Sequence, residues 1–241
     1  MRGSLIKRIG VSTTLLLFAF CAISFRMAYR EIQQQKLNHA LIAAIKQNDT
    51  QAALTLLAQG ADPNSRDEPA PQLSLWRLLL DRLQGKHPAS SDAETCLQIA
   101  LEIHAADSNY PDSASPPDDP AVIKSLLDRG ANPNTADPSG ETPLMKAVTF
   151  DDEEVIEVLI KHGADVNDFA HVTPNIQINP LITAVDTLEP AKVKLLLAHG
   201  ANPNIRDSAG NSPLSLAKES ISLNVNAVKI IKMLKQAGAK E

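Results

Sequence analysis

Aromatic residues are nearly missing from this chain: one Trp, two Tyr and five Phe in 241 positions. A broad globular core usually leans on such side chains, so the shortage points to a thin, aliphatic core. Cysteine occurs only as Cys21 and Cys96. That excludes a disulfide scaffold without fixing the compartment. No glycine-rich phosphate loop, zinc-ligand pair or nucleophile elbow is written anywhere. Enzymatic chemistry, a cofactor, a metal or a small-molecule substrate is therefore not expected. Positive charge is short where most of the chain lies. Residues 37–241 carry 17 Lys/Arg against 27 Asp/Glu, while residues 1–36 carry six against Glu31 alone. An acidic body of this kind argues against a nucleic-acid partner.

What the chain does contain is one phrase, repeated. It reads Leu56-Leu57-Ala58-Gln59-Gly60-Ala61-Asp62-Pro63-Asn64, then Leu126-Leu127-Asp128-Arg129-Gly130-Ala131-Asn132-Pro133-Asn134. It returns at Leu159–Asn167 and Leu196–Asn204, and a worn copy ends in Gly238-Ala239. The glycines step by 70, 33, 37 and 38 residues, and a period of this size marks a stacked repeat architecture. The paired aliphatics are the buried edge of a short helix. Each glycine stands where that helix stops, because a left-handed residue closes the last carbonyls.

A partner phrase lies 22 residues upstream, counting both ends. It is Thr142-Pro143-Leu144-Met145-Lys146-Ala147, Asn179-Pro180-Leu181-Ile182-Thr183-Ala184 and Ser212-Pro213-Leu214-Ser215-Leu216-Ala217, with His39–Ala44 as a capless version. Its first residue is an N-cap and its proline starts the helix without losing a hydrogen bond. One unit is thus helix, turn, helix, glycine stop and an extended loop.

These two phrases in fixed register resemble the ankyrin repeat family over roughly residues 37–240. The resemblance implies an all-α repeat solenoid of helix-turn-helix units with β-hairpin-like fingers. Such domains are generally protein-interaction modules that bind through fingers and inner helices. One departure is that Met145, Ile182 and Ser215 stand where the family usually places histidine.

The expected organisation is an N-terminal hydrophobic helix or signal segment at 1–30 and a repeat domain at 31–240. Its repeats fall at about 37–64, 65–134, 135–167, 168–204 and 205–240, the last with a lysine-rich outer helix that reads as a cap. Residues 65–134 are irregular. One enlarged repeat is favoured there, with an inner helix at 72–84, an inserted helix at 92–105 and an outer helix at 119–129. Two degenerate repeats are the alternative.

Ile9 to Phe25 carries no charge and follows Arg2, Lys7 and Arg8. Seventeen such residues reach the short end of a bilayer crossing. A single-pass anchor, with the repeats on the non-cytoplasmic, periplasmic side, is preferred to a signal cleaved near Ser24. A lipoprotein signal is disfavoured because Phe20, not a small residue, precedes Cys21.

The expected function is a non-enzymatic adaptor, tethered to a membrane and presenting its repeats to a protein partner. The alternatives are a structural spacer or self-assembly element at the membrane, and an exported soluble binding protein. By position, the candidate contacts are Arg66, Asp67, Asp137, Phe169, His171, Ile176 and Arg206 on fingers, with Met145, Lys146, Ile182 and Thr183 on inner helices. His162 and His199, in matching slots before their glycines, read as helix-end histidines, not as a shared metal site.

Overall fold

The computed structural model describes residues 2–67, 93–108, 120–150, 153–173, 176–220 and 225–240, without the side chains of 2–22, 104–108, 170–173 and 176–177. Its helices are α1 (Arg2–Lys46), α2 (Thr50–Ala58), α3 (Cys96–Ser108), α4 (Ala121–Asp128), α5 (Pro143–Phe150), α6 (Glu153–Lys161), α7 (Pro180–Asp186), α8 (Pro190–Ala198), α9 (Pro213–Glu219) and α10 (Val225–Gln236). One hairpin, β1 (Ala170–Thr173) and β2 (Ile176–Ile178), lies between α6 and α7.

The helices form two parallel rows. The inner row is α1, α3, α5, α7 and α9, each packed on the next; the outer row is α2, α4, α6, α8 and α10. A single aliphatic core runs between the rows from Leu41 to Leu234. This is the helical repeat solenoid that the two phrases predict.

Local chemistry explains each unit. Asp49 caps α2 by accepting from the Ala52 amide at 2.9 Å. Asn179 caps α7, and Ser212 with Ser215 forms a capping box on α9. The outer helices end alike: Gly163 N–H donates to Ile160 O and Ala164 N–H to Leu159 O, with Gly163 at φ +93°. Glycine takes that conformation without the Cβ clash that other residues meet.

Neighbouring repeats are tied by a ladder of asparagines. Asn64 Nδ2 donates to Gly130 O at 2.8 Å, and Asn64 Oδ1 accepts from the Asn132 amide at 2.8 Å. Asn134 makes the same pair with Gly163 O and the Asp165 amide, Asn167 with Gly200 O and the Asn202 amide. Asn204 closes the series on Gly238 O and the Lys240 amide. The final asparagine of each phrase thus holds the glycine loop of the following repeat.

At the first loop the same work is done by α1. Gln34 Nε2 donates to Gly60 O at 2.8 Å, and Asn38 Oδ1 accepts from the Asp62 amide at 2.9 Å. Two side chains one helical turn apart do what one asparagine does elsewhere.

The irregular region resolves differently from the expectation. The inner-row position of the second repeat belongs to α3, whereas 92–105 was expected as an inserted helix. The inner helix expected at 72–84 lies outside the described residues. The first finger opens and closes where Asp67 N–H donates to Glu94 O and Cys96 N–H to Ser65 O. Thr95-Cys96-Leu97-Gln98-Ile99-Ala100 occupies the place of Thr142–Ala147. Cysteine in the proline slot hides the phrase, although the threonine cap, the leucine and the alanine remain in register.

Cys96 is fully buried and its Sγ lies 3.1 Å from Ser65 Oγ. Burial pushes the thiol up to about 11, against a smaller opposing effect of the Ser65 hydrogen bond. In a Cys21→Ser background the native chain is therefore expected to resist thiol alkylation at neutral pH and to react fully in denaturant. Complete labelling of the native protein would show that the Ser65–Cys96 contact opens.

Candidate interaction surface

The structure divides the eleven candidate contacts. Met145 and Ile182 are buried, at 2% and 4% exposure, although they stand outside the continuous aliphatic cluster of the core. Thr183 is half-buried and its hydroxyl donates to Asn179 O at 3.1 Å. Met145 and Ile182 are therefore not open surface, and Thr183 is only partly so.

Lys146 is also buried, for a different reason. Its Nζ bonds the Glu102 carboxylate and lies 3.0 Å from Asp137 Oδ2. Burial works against the cation, but the Glu102 and Asp137 carboxylates outweigh it and hold its pKa above the ordinary lysine value. The Asp137 side chain is 5% exposed, though the residue as a whole is half-buried, and it turns its finger by accepting from Ser139 Oγ at 2.6 Å and the Glu141 amide at 2.9 Å. Burial disfavours its charge, yet the Ser139, Lys146 and Glu141 hydrogen bonds prevail and hold its carboxyl below the usual value. Asp137 and Lys146 thus form a structural pair beneath the surface.

Around that pair lie carboxylates that sequence reasoning missed. Glu94 and Glu141 are half-buried and titrate above the usual range, chiefly through burial. Neighbouring Glu102 and Asp137 raise Glu94 further, and Asp137 and Glu102 raise Glu141. They come from α3 and two different fingers, so no sequence spacing announces the cluster.

On the fingers the candidates remain nearer the surface. Asp67 pairs with Lys46 Nζ at 2.5 Å, both about half exposed. Arg66 is half-buried, with Nη1 donating to Ala93 O at 3.0 Å. Arg206 is exposed, with Nη1 donating to Gly210 O at 2.7 Å. Phe169 is half-buried at the base of the repeat-four finger. The overlong finger is a two-stranded hairpin in which His171 pairs with Gln177 and Thr173 with Ile176, with an irregularity between His171 and Thr173. The side chains of His171 and Ile176 lie outside those described.

His162 sits at the end of α6 and reaches back to the preceding repeat. Nδ1 is 2.8 Å from Val158 O and Nε2 is 3.0 Å from Asp128 Oδ1. Among the described residues no group of histidine, cysteine and carboxylates is arranged to hold a metal ion.

The residues of the N-terminal apolar run fold into the first part of α1. Among the described residues no helix is long and apolar enough to cross a membrane. The expected anchor falls mostly on residues 9–22, whose side chains lie outside those described.

A two-row helical solenoid with a finger edge and an asparagine ladder is the architecture of a repeat-built binding scaffold. Comparison with known proteins gives the family. Models of ankyrin repeats match residues 36–68 and, as a three-copy model, residues 72–170 and 112–207. The chain belongs to the ankyrin repeat family. It is similar to the Ankyrin repeat and KH domain-containing protein mask of Drosophila melanogaster, 40% identical over 93 residues, or 39% of this chain and 2% of that protein. An ankyrin repeat protein of fowlpox virus is 36% identical over 100 residues, 40% of this chain and 33% of that protein. An ankyrin repeat protein of Escherichia coli is 26% identical over 186 residues, 61% of this chain and 92% of that protein. The chain spans a third or less of the first two relatives.

Proposed function

We propose that this chain is a protein-interaction module with no enzymatic activity of its own, tethered to a membrane through the N-terminal part of α1. The observation that carries the binding role is the unbroken asparagine ladder. It joins every described repeat into one scaffold and leaves the fingers at an edge where side chains such as Arg206 are exposed. The tether is supported by the uncharged run from Ile9 to Phe25 behind Arg2, Lys7 and Arg8, which also favours a cytoplasmic N-terminus with the repeats on the other, periplasmic side.

In-cell crosslinking of the full chain, followed by a carbonate wash and sequencing of the mature N-terminus, tests both halves. A native N-terminus in washed membranes with one reproducible crosslinked protein supports the reading. A mature protein beginning near Phe25 in the soluble fraction removes the tether, and a particle with no partner but itself favours the spacer. The finger role has its own measurement. Phe169→Ala, Ile176→Ala and Arg206→Ala together are expected to weaken capture of the crosslinked partner by about tenfold or more. Undiminished capture would move the contact away from these fingers.

A further inference from the structure

Helix α1 has two jobs that proteins commonly separate by a linker. Its C-terminal part is the inner helix of the first repeat, and its N-terminal part is the apolar segment. No glycine or proline occurs between Val11 and Lys46, so the usual causes of a sharp kink are missing from that stretch. The junction is pinned as well. Gln34 and Asn38 bond each other at 3.1 Å while holding Gly60 O and the Asp62 amide.

Just before that junction the helix exposes four large apolar side chains. Ile23, Phe25, Met27 and Tyr29 are 59%, 57%, 49% and 54% exposed. At 3.6 residues per turn Ile23 and Met27 fall on one side, Phe25 and Tyr29 on the opposite side. Ala28, on the face between them, is buried at 3%, so the two stripes are the flanks of one broad outward surface. Arg26 and Arg30, also exposed, stand between the two stripes. Aromatic rings with arginines beside them suit the boundary where hydrocarbon meets lipid phosphate.

We propose that α1 is a rigid mount: residues 23–30 sit at the interface of a phospholipid bilayer, and the unbroken helix beyond them turns the finger edge of the solenoid toward that bilayer. The inference rests on the membrane reading above. The direction follows from connectivity. Every inner helix starts at a finger and ends at a turn, and α1 leaves the stack through its start, beside Gly60 and Asp62. The fingers are therefore the near edge and the turns, such as Gln47–Asp49, the far edge. From Arg30 to Leu37 the helix rises about 10 Å, and from Leu37 to Lys46 about a further 14 Å. A partner gripped by the fingers has to approach within that first distance of the headgroups.

The test uses the full chain with Cys21→Ser in vesicles of phosphatidylethanolamine and phosphatidylglycerol that carry a nitroxide-headgroup lipid. With Cys96 left buried, one further cysteine bearing a fluorophore replaces, in separate variants, Ala136 or Ser208 on fingers and Gln47 or Phe150 near turns, all exposed positions. The expected result is flotation with the vesicles and quenching several-fold stronger at Ala136 and Ser208 than at Gln47 and Phe150. Inserting Gly-Ser-Gly-Ser after Glu31 is expected to keep flotation and abolish the difference. Flotation with equal or reversed quenching overturns the mount while leaving the tether intact. So does a difference that survives the insertion. A chain that stays out of the floated fraction overturns the tether and the mount together.

Discussion

Replacing Lys146 by methionine is expected to lower the unfolding free energy by about 3 kcal/mol at neutral pH, more than any charge substitution on the open surface. The reason is the carboxylate left behind. The Asp137 side chain is 5% exposed and keeps only its bonds from Ser139 and the Glu141 amide once the ammonium is gone. Glu102, about half exposed, turns to water and adds little. Asp137→Asn in the same chain removes the orphaned charge, and the double variant should recover part of the loss. The pH dependence follows from the two shifts. Asp137 has a depressed carboxyl, so its contribution is present above the unfolded value of 3.8 and is lost as pH falls through its folded value. Lys146 has a raised ammonium, so its contribution is present below 10.5 and is lost as pH rises through its folded value. The gap between parent and variant should be widest across neutral pH and shrink at both ends. Urea unfolding in mild detergent, followed by circular dichroism over that range, measures it. A gap independent of pH would falsify the ion-pair account.

Much of this architecture was legible because the repeats carry their own punctuation. Gly60, Gly130, Gly163 and Gly200 all take positive φ, and the capping residues Asp49, Asn179 and Ser212 stand where their side chains announce them. Those signals are local, so the sequence displays them. In the second repeat one local signal is altered: Cys96 fills the proline slot, so the inner-row place of α3 does not show in the sequence. The surface was less legible than the fold. Position within a repeat placed Met145, Lys146 and Ile182 at the inner helices but could not say that neighbours bury them. Their exposure depends on how closely successive repeats stack, which is set by residues of other repeats. The carboxylates around Lys146 come from α3 and two fingers, a grouping that only the stacking creates.

The ladder carries the second large expectation. Asn134→Ala removes the bonds to Gly163 O and from the Asp165 amide, each 2.9 Å, and is expected to cost about 2 kcal/mol. Its effect on cooperativity should exceed its effect on total stability. A solenoid unfolds as one body only while the interface between neighbours outweighs the deficit of each repeat alone, and Asn134 acts at the boundary of repeats two and three. Weakening that boundary should let α1–α4 and α5–α10 unfold at different urea concentrations. Hydrogen exchange would then show two protected blocks in place of one. Asn38→Ala removes the bonds from the Asp62 amide and from Gln34 at the first loop, which α1 fastens. It should lower stability while leaving a single transition. The contrast separates a rung that couples repeats from one that fastens a loop. If Asn134→Ala kept one transition with an unchanged midpoint, water would have replaced both bonds at no cost. Coupling along the solenoid would then reside in its aliphatic core alone.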